Sequence, residues 1–347
     1  MTWYIEKGPE SDVVLSTRVR IARNLDSYPF PGRLDYTRSK MLADEIIGAL
    51  KEYNKSHDSD FIVIAMSELG NEDKLSLVEK HLISEELTEN GIQRFAVINK
   101  DESVSVMINE EDHIRIQAMQ SGLNLEKAYE TASNIACYIE KKLPVSYHDK
   151  FGFLTSCPTN TGTGLRASVI MHLPGLAIAK RIPGIIERIQ KMGYSVRGYY
   201  GEHSTSSGNM FQISNQITLG LNEEELISDL KKVINQLMEK ERAIRKELYE
   251  KNPVYVEDMV YRSLGILKYA RILTSEESLK MISDVRLGKS LGIIKDIDEE
   301  SLNRIMNSVG PASVQKSVGR LMEPAERDRT RAVVIRTHLK DGEKNDG

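Results

Sequence analysis

The chain has little of what marks several large protein classes. Its 347 residues include two cysteines, too few for the disulfide framework of a small secreted protein, so we expect a reducing, cytoplasmic location. No apolar run approaches the roughly 20 residues that a membrane-spanning helix needs. Residues 1–7 also lack the basic and then apolar layout of a signal peptide. These features argue against a membrane or secreted protein.

The charge of the chain does not indicate a nucleic-acid-binding protein, and its sequence contains none of the common metal-binding motifs considered below. The chain carries 47 basic and 51 acidic residues, a formal net charge of −4, which argues against nonspecific nucleic-acid binding. It has no HExxH and no paired CxxC, and its seven histidines are scattered. We therefore predict no structural metal site.

The motifs of two common ATP-binding classes are incomplete or absent. Residues 287–290 read LGKS, as at the end of a P-loop, but Ser283 occupies the first glycine position. The sequence contains no HRD-type catalytic loop and no DFG. The serine/threonine kinase fold is therefore not supported.

Four dense motifs carry the chemistry that is present. They are residues 16–20 (STRVR), 109–115 (NEEDHIR), 157–166 (CPTNTGTGLR) and 197–203 (RGYYGEH). Every motif contains arginine, and two contain a glutamate beside it, Glu111 or Glu202. This combination is typical of an enzyme that moves a phosphoryl group from ATP onto a guanidinium.

The two glutamates suit the acceptor side of that reaction. A guanidinium has a pKa above ~12, so removing its proton in advance would cost roughly 7–9 kcal/mol, at about 1.36 kcal/mol per pKa unit. Proton removal must accompany attack, and a carboxylate on the planar nitrogen fork is the natural base. We predict that Glu111 and Glu202 grip and deprotonate the acceptor.

The arginines suit the nucleotide side. Phosphoryl transfer depends on positioned cations, and the arginine fork meets phosphate oxygens bidentately. The candidates for binding ATP are Arg18, Arg20, Arg115, Arg166 and Arg197. A single one of them would be read as an ordinary surface arginine, but five within four motifs favour a nucleotide site. Mg²⁺ should be needed as well, carried on the ATP phosphates.

Cys157 opens the third motif and has two functional interpretations. A thiol near cations shifts toward thiolate and can contact a guanidinium as a further negative group. A nucleophilic cysteine is the alternative, but no partner histidine is evident nearby. We expect Cys137, in a predicted helix, to be a small buried apolar residue.

With their order and spacing, the four motifs resemble the phosphagen kinases, the family of creatine and free-arginine kinases. The resemblance implies that Glu111 and Glu202 bind and deprotonate the guanidinium, that Cys157 contacts it, and that the five arginines hold ATP phosphates. Tyr200 is a departure, since many phosphagen kinases have arginine there.

A second departure concerns the region before the motifs. Phosphagen kinases carry a helical domain ahead of the first arginine motif, whereas Arg18 comes almost at the start here. Helical sequence follows the catalytic region instead, an arrangement similar to the bacterial protein-arginine kinases. That resemblance implies protein substrates with exposed arginine, a possible activator protein, targets in the stress response and Clp-type protein degradation.

The motif RDxxRA at residues 327–332 adds a regulatory hypothesis. On a helix Arg327 and Arg331 are four residues apart and face the same way, with Asp328 beside them. Physical reasoning alone favours a solvated charged face. By resemblance to the protein-arginine kinases, Arg327, Asp328 and Arg331 form an allosteric phosphoarginine-binding element.

Apolar periodicity predicts both strands and helices before Pro253. We predict strands at residues 61–66, 94–99, 104–108, 167–173 and 210–214. Helical spacing appears at residues 41–50, 123–143 and 223–251. Because the second and third strands are close enough for a hairpin, we expect a sheet that is at least partly antiparallel. Residues 201–208 are rich in small polar residues and predict a mobile loop that closes on ATP.

Beyond Pro253 nearly everything predicts helix, at residues 254–270, 276–287 and 311–319, before a disordered tail at 341–347. We therefore predict an α/β protein of the α+β type in two domains. Residues 1–252 form a guanidino-kinase catalytic domain with a largely antiparallel sheet flanked by helices. Residues 253–347 form an all-helical domain for substrate docking, phosphoarginine sensing or dimerisation, most simply as a homodimer.

Two other functions stay open. A small-molecule guanidino (free-arginine) kinase is disfavoured because the domain that encloses the small substrate is not seen. A catalytically inactive adaptor is disfavoured because both glutamates, Cys157 and all five arginines are kept. Phosphate on free arginine alone would favour the first of these, and phosphate on no acceptor would favour the second.

Overall fold

The computed structural model describes residues 2–57, 59–198 and 207–343. Its strands are β1 (Val14–Arg23), β2 (Ile62–Ala65), β3 (Phe95–Ile98), β4 (Val104–Ile108), β5 (Ile114–Ser121), β6 (Tyr147–His148), β7 (Gly152–Phe153), β8 (Leu165–His172), β9 (Tyr194–Gly198) and β10 (Met210–Asn215). Eight of them form one sheet in the order β2-β3-β4-β5-β1-β8-β10-β9, and β6 pairs with β7. All of these pairings are antiparallel, which confirms the predicted sheet type.

The earlier helices lie between strands along the chain, and among the described elements only helices follow the last strand, β10. They are α1 (Tyr36–His57), α2 (Asn71–Glu79), α3 (Leu125–Lys142), α4 (Pro174–Ile178), α5 (Ile182–Lys191), α6 (Glu223–Lys251), α7 (Pro253–Tyr269), α8 (Ser275–Ser290), α9 (Glu299–Ser308), α10 (Pro311–Val318) and α11 (Pro324–Glu343). Within the described part of the chain, none of them combines the length and apolar character needed to cross a membrane.

The two faces of the sheet differ because side chains alternate along each strand. On β1, Val19 and Ile21 point into the main apolar core, which also contains buried residues of β5, β8, α1, α3 and α6. Arg18 and Arg20 alternate with them and therefore point to the opposite face. Burying one face fixes the register, since a slip by one residue would send the arginines into the core.

The C-terminal helices have a core of their own. Val260, Val285, Ile305 and Ile335 are fully buried there, one from each of α7, α8, α9 and α11. The chain enters this region at Asn252, where α6 ends and Pro253 takes the first position of α7, as proline tolerates. The exact domain limit at residue 252 stays a prediction.

Polar contacts join the two regions. The Glu79 carboxylate, at the end of α2, accepts hydrogen bonds from the backbone N–H groups of Ala312 (2.7 Å) and Ser313 (2.8 Å) in the first turn of α10. His172 Nε2 lies 2.8 Å from Ser283 Oγ on α8. An acidic group at a helix N-terminus satisfies donors that have no partner within the helix.

Most predicted elements are confirmed, with two corrections. The predicted hairpin is the β3–β4 pair, and α6 has the predicted limits. Cys137, however, is exposed on α3 and is not a buried apolar residue; its Sγ lies 3.9 Å from Ser133 Oγ. In addition, α11 continues to Glu343, so residues 341–343 are helical where a disordered tail was expected.

Candidate active site

The register of β1, β5 and β8 gathers the predicted arginines on one face of the sheet. Arg20 lies opposite Arg166 of β8 and opposite Gln117 of β5. Arg18, one row away, lies opposite Ser168, and its Nη2 donates to Gln212 Oε1 at 3.3 Å. Directly opposed residues on adjacent strands are neighbours. Residues distant in sequence thus form one cationic surface.

A cavity of about 780 Å³ opens on this surface. It brings together most of the predicted site residues, namely Arg20, Glu111, Arg115, Cys157, Arg166 and Arg197. Arg18 is not among the residues that line it, although its charge acts on Arg20 from the next row. A pocket of this size is within the usual range for nucleotide- or drug-sized ligands.

Arg20 is the clearest sign that the cavity binds an anion. Burial, and then the like charges of Arg115, Arg18 and Arg166, lower the pKa of Arg20 well below its usual value. Its Nε is buried and makes no hydrogen bond within the described part of the chain. A buried cationic donor without a partner is costly. A polyphosphate would both neutralise the cluster and accept from this donor.

Glu110 supports the cavity from within the protein. Its carboxylate accepts hydrogen bonds from Arg115 Nη1, from Ser84 Oγ at 2.6 Å and from the backbone N–H of Glu111 at 2.9 Å. Burial alone would raise the pKa of Glu110, but Arg115 and these donors bring it below the ordinary value. Glu110 is therefore a buried anion that positions Arg115 and the backbone of the second motif.

Glu111, the next residue, is exposed and lines the cavity. Partial burial raises the pKa of Glu111, Arg115 opposes this, and the carboxylates of Asp112, Glu110 and Glu86 add to the rise. A raised pKa makes a carboxylate a stronger base. Glu111 therefore has the exposure and the electrostatics that a base acting on a cationic acceptor needs.

Asp112 ties the second motif to the third. Its Oδ1 accepts from Asn24 Nδ2 at 2.6 Å and from the backbone N–H of Ser156 at 2.7 Å. His113 is also buried; its Nδ1 accepts from the backbone N–H of Leu25 at 3.0 Å, and its Nε2 lies 2.9 Å from the carbonyl oxygen of Pro29. Asp112 thereby holds the segment that carries Cys157 next to the one that carries Glu111, and His113 ties the same motif to residues 25–29.

Cys157 is half-buried at the cavity, with its Sγ 2.9 Å from Thr159 Oγ1. The glycines of its motif have a steric reason. Gly162 has φ +119°, and a Cβ there would lie 2.4 Å from the carbonyl oxygen of Thr218. Gly164 has φ +65° and would clash similarly with Ala22. The motif therefore needs glycine to pack its loop against β1 and the segment after β10.

Part of the predicted site lies outside the described residues. Glu202, Tyr200 and His203 fall within residues 199–206, as does most of the predicted mobile loop. In the described ranges no three His, Cys, Asp or Glu side chains are grouped so as to hold a metal ion.

The C-terminal motif is arranged differently from the expected open face. Arg331 is only 2% exposed; its Nε donates to the carbonyl oxygen of Val309 at 2.6 Å, and its Nη1 to that of Leu273 at 2.8 Å and to Asp328 Oδ1. Arg327 is half-buried, and its Nη1 donates to the carbonyl oxygen of Met322 at 3.1 Å. In this structure Arg331 packs between helices and is not part of a solvated charged face. Phosphoarginine binding by Arg327, Asp328 and Arg331 stays a prediction.

Sequence reasoning missed several residues of the site. Glu110, Ser84 and Asn24 are named above, and Glu86, Glu89 and Arg94 also line the cavity. Two adjacent glutamates in the second motif were a usable signal, because adjacent residues after a strand point in different directions. Nothing in the local sequence indicates that residues 84–94 lie next to this motif.

An antiparallel sheet with arginines on one face, beside a glutamate and a cysteine in one cavity, defines a phosphotransferase of the guanidino-kinase class. Residues 41–244 match the family model "ATP:guanido phosphotransferase, C-terminal catalytic domain". Residues 253–347 match the model "Protein-arginine kinase McsB C-terminal domain". Together the two models cover every strand of the main sheet except β1, and all of the C-terminal helices α7 to α11.

Curated relatives extend over nearly the whole chain. It is 45% identical over 338 residues to a protein-arginine kinase of Halalkalibacterium halodurans, a match that covers 97% of this chain and 95% of that protein. It is 44% identical over 338 residues to the protein-arginine kinase of Bacillus subtilis, covering 97% and 93%. The chain belongs to the ATP:guanido phosphotransferase family, as a protein-arginine kinase.

Solved structures agree on the fold. The duplicated taurocyamine kinase from Schistosoma mansoni, with bound transition-state analogue components, has a TM-score of 0.60 and 29% identity; the match covers 72% of this chain and 37% of that one. Lombricine kinase also has a TM-score of 0.60, with 24% identity and coverage of 69% and 68%. The phosphagen-kinase fold predicted from the four motifs is confirmed.

Proposed function

We propose that the enzyme transfers the γ-phosphoryl group of ATP to the guanidinium of arginine side chains in polypeptides, with Glu111 and Glu202 as the groups that hold and deprotonate the acceptor. One observation carries the proposal: Glu111 shares a cavity with Arg20, Arg115 and Arg166. The cationic acceptor can therefore lie at Glu111 while the ATP phosphates lie at the arginines, within one cavity.

The transfer needs only one base, because one proton leaves the acceptor as one bond forms and one breaks. A guanidino nitrogen attacks the γ-phosphorus, an N–P bond forms, and the bond from phosphorus to the bridging oxygen breaks, leaving ADP with the electron pair. The proton from the attacking nitrogen passes to a carboxylate, Glu111 or Glu202. Since early deprotonation would cost roughly 7–9 kcal/mol, proton transfer and N–P bond formation occur together.

The arginines supply positioning and charge. Charge on the three equatorial oxygens of the transferring group needs fixed donors. Arg20, Arg166 and Arg197 line the cavity and meet this need, and the buried ion pair with Glu110 holds Arg115 ready. Because these donors are already oriented by the sheet, little reorganisation is needed during transfer.

Mg²⁺ fits the site as a partner of the nucleotide. It would neutralise phosphate charge and help to orient the β- and γ-oxygens. The protein residues act around it: the arginines bind the remaining phosphate oxygens, and Glu111 stays available for the acceptor.

Acidic side chains around the cavity suit a cationic acceptor. Glu86 and Glu89, both exposed, stand with Glu111 among the residues that line it. Negative charges around the entrance attract a guanidinium, on free arginine or on a polypeptide, and raise its encounter rate. The names of the curated relatives, protein-arginine kinases, favour the polypeptide acceptor.

The proposal includes regulation through the C-terminal motif. Asp328 and Arg327 are only partly buried, so phosphoarginine can reach them, while Arg331 positions Asp328. In this view the product of the reaction, on another chain or on a second copy in a homodimer, tunes activity. Partners of the Clp protease type, an activator protein and stress-response targets in the cytoplasm belong to the same proposal.

A direct experiment separates the candidates. Purified enzyme with Mg-ATP is given free arginine or an unfolded arginine-containing protein, and acid-labile phosphate is measured on each. We expect label on the protein. Label on free arginine alone would indicate a small-molecule kinase, and label on neither would indicate an inactive adaptor.

The regulatory part needs its own test. Phosphoarginine is titrated onto wild-type enzyme and onto the double variant Arg327→Ala, Asp328→Ala, with Arg262→Ala, an exposed arginine of α7, as the control. We expect affinity to fall at least tenfold in the double variant alone. Unchanged affinity would remove this element of the proposal.

A further inference from the structure

A second, smaller groove leads away from the active-site cavity. This side groove has a volume of about 150 Å³ and is lined in part by Tyr36, Met66, Lys74, Glu89, Ile92 and Arg94. Glu89, Ile92 and Arg94 also line the main cavity, so the two spaces are adjacent. A cavity of about this volume holds a benzene-sized group, which is the scale of one amino-acid side chain.

Lys74 is the unusual member of the side groove. The residue is only 9% exposed, and the one hydrogen bond from its Nζ, to the carbonyl oxygen of Thr88, is 3.5 Å long. That length exceeds the usual range of about 2.7–3.2 Å. In the three described ranges no carboxylate oxygen lies within 4 Å of this ammonium. Buried lysines are normally paired with an anion. The Lys74 ammonium is therefore suited to pair with an anionic group of a ligand.

Arg94 adds a second buried cation to the same groove. Its side chain is 12% exposed, and its Nη1 donates to the carbonyl oxygens of Glu86 and Glu89, which fixes the segment that carries both glutamates. Its Nε is buried and makes no hydrogen bond to the described part of the chain. The nearby Glu89 carboxylate is 3.5 Å away and 67% exposed, so it compensates this charge weakly.

The groove opens at the acceptor end of the active site. Glu86, in the segment held by Arg94, is close enough for its charge to act on Glu111. Four of the five arginines that suit the nucleotide lie on β1, β8 and β9, whereas Arg115 lies on β5, close to Glu111. A polypeptide whose arginine reaches Glu111 therefore passes the mouth of the side groove with its neighbouring residues.

We propose that the side groove binds an acidic side chain of the substrate polypeptide, close in sequence to the acceptor arginine, and that Lys74 is the specificity-determining residue. The inference rests on the proposed function, since it assumes a polypeptide acceptor. The carboxylate accepts from Lys74 Nζ, and its stem lies against Ile92 and Tyr36. Charge-assisted hydrogen bonds of this kind are stronger than neutral ones, and their loss is measurable.

The test uses short peptides with one central arginine. A glutamate is moved through the positions on both sides of it, and each peptide is compared with its glutamine counterpart by kcat/KM. In the wild-type enzyme we expect at least one position where glutamate is favoured about tenfold. The variants are Lys74→Met, which keeps the apolar stem, Lys74→Arg, and the exposed control Lys100→Met.

The expected pattern has three parts. The glutamate preference disappears in Lys74→Met, and it persists in Lys74→Arg and Lys100→Met. The absence of a preference in the wild type, at every position, overturns the proposal without any variant, and so does a preference that survives in Lys74→Met. If the wild type phosphorylates free arginine and no peptide at all, the proposed function fails instead.

Discussion

Glu110 and Arg115 form a buried ion pair next to Glu111, the residue proposed to hold the acceptor guanidinium. The Glu110 side chain is 0% exposed and that of Arg115 is 17% exposed. The same carboxylate accepts the backbone N–H of Glu111. The Glu110 carboxylate thus fixes the side chain of Arg115, which is proposed to bind the nucleotide. It also fixes the backbone of Glu111, which is proposed to hold the acceptor. This explains why the second motif has two adjacent glutamates: the first is structural and the second faces the cavity.

Replacing Glu110 should destabilise the enzyme. Glu110→Gln leaves Arg115 buried without a counter-charge, and breaking such a pair costs about 3–5 kcal/mol. Urea unfolding at pH 7 measures the loss, with Glu130→Gln on the exposed side of α3 as the control. An unfolding free energy within about 0.5 kcal/mol of the wild type would contradict the role given to this pair.

The effect should depend on pH in a defined direction. The pKa of Glu110 is lower in the folded protein, so its contribution is present above the unfolded pKa of ~4.3 and is lost as the pH falls through the folded value. Wild type and Glu110→Gln should therefore converge in stability on acidification. A gap that stays constant down to pH 3 would show that the carboxylate charge is not responsible.

His113 should remain neutral in mild acid. Burial lowers the pKa of His113 to about 4, although its hydrogen bond with Pro29 opposes this. The unfolded chain takes up a proton near pH ~6.5 that the folded protein refuses. Stability from this residue is therefore present above pH ~6.5 and falls by roughly 3 kcal/mol as the pH approaches 4.

Histidine NMR provides the measurement. The His113 ring signal, assigned by comparison with His113→Gln, should not move between pH 7.5 and pH 5.5. A titration midpoint near 6.5 would mean that the ring is not enclosed as the structure has it.

Cys157 should act by contact and not as a nucleophile. Cys157→Ser replaces the larger sulfur with a smaller hydroxyl that reaches the acceptor guanidinium less well. We therefore expect kcat/KM to fall by roughly 10–100-fold, the loss of one hydrogen bond to a charged group. Cys137→Ser, on exposed α3, should be unchanged. Intact mass after incubation with Mg-ATP and no acceptor should show no added phosphate on the protein; a phosphocysteine adduct would support the nucleophile interpretation.

Arg331 and Arg327 should separate structural from binding roles. Arg331→Ala removes three hydrogen bonds from a buried guanidinium, two of which join α11 to Leu273 and Val309, so we expect a loss of about 3 kcal/mol or more in unfolding free energy. Arg327→Ala should change stability by less than about 1 kcal/mol. Thermal unfolding of both variants measures this, and equal stability would show that Arg331 does not hold the helices together.

Local patterns predicted much of the fold. Strands β3 and β4 are rich in apolar and β-branched residues, and α6 begins at an asparagine capping box, so their limits follow from the sequence. Strands β1, β5 and β9 were not predicted, because their arginines were read as motif residues. The alternation of Val19 and Ile21 with Arg18 and Arg20 was the available signal.

The sequence predicted most of the site residues that lie inside the four motifs, but not those contributed by other segments. Glu111, Cys157 and four of the five arginines line the cavity as expected. The side groove depends on α2 packing beside the second motif, a contact between segments distant in sequence. Arg331 was misread because helical spacing gives the direction of a side chain but not whether another helix covers it.

The most direct test of the central claim is the turnover of Glu111→Gln. With Mg-ATP and an arginine-containing protein, formation of phosphoarginine should fall by about 10²–10⁴-fold, while ATP affinity, measured by calorimetry, stays within about twofold of the wild type. Loss of transfer with retained nucleotide binding is the result this account predicts. Phosphoarginine formation at the wild-type rate in Glu111→Gln would contradict it.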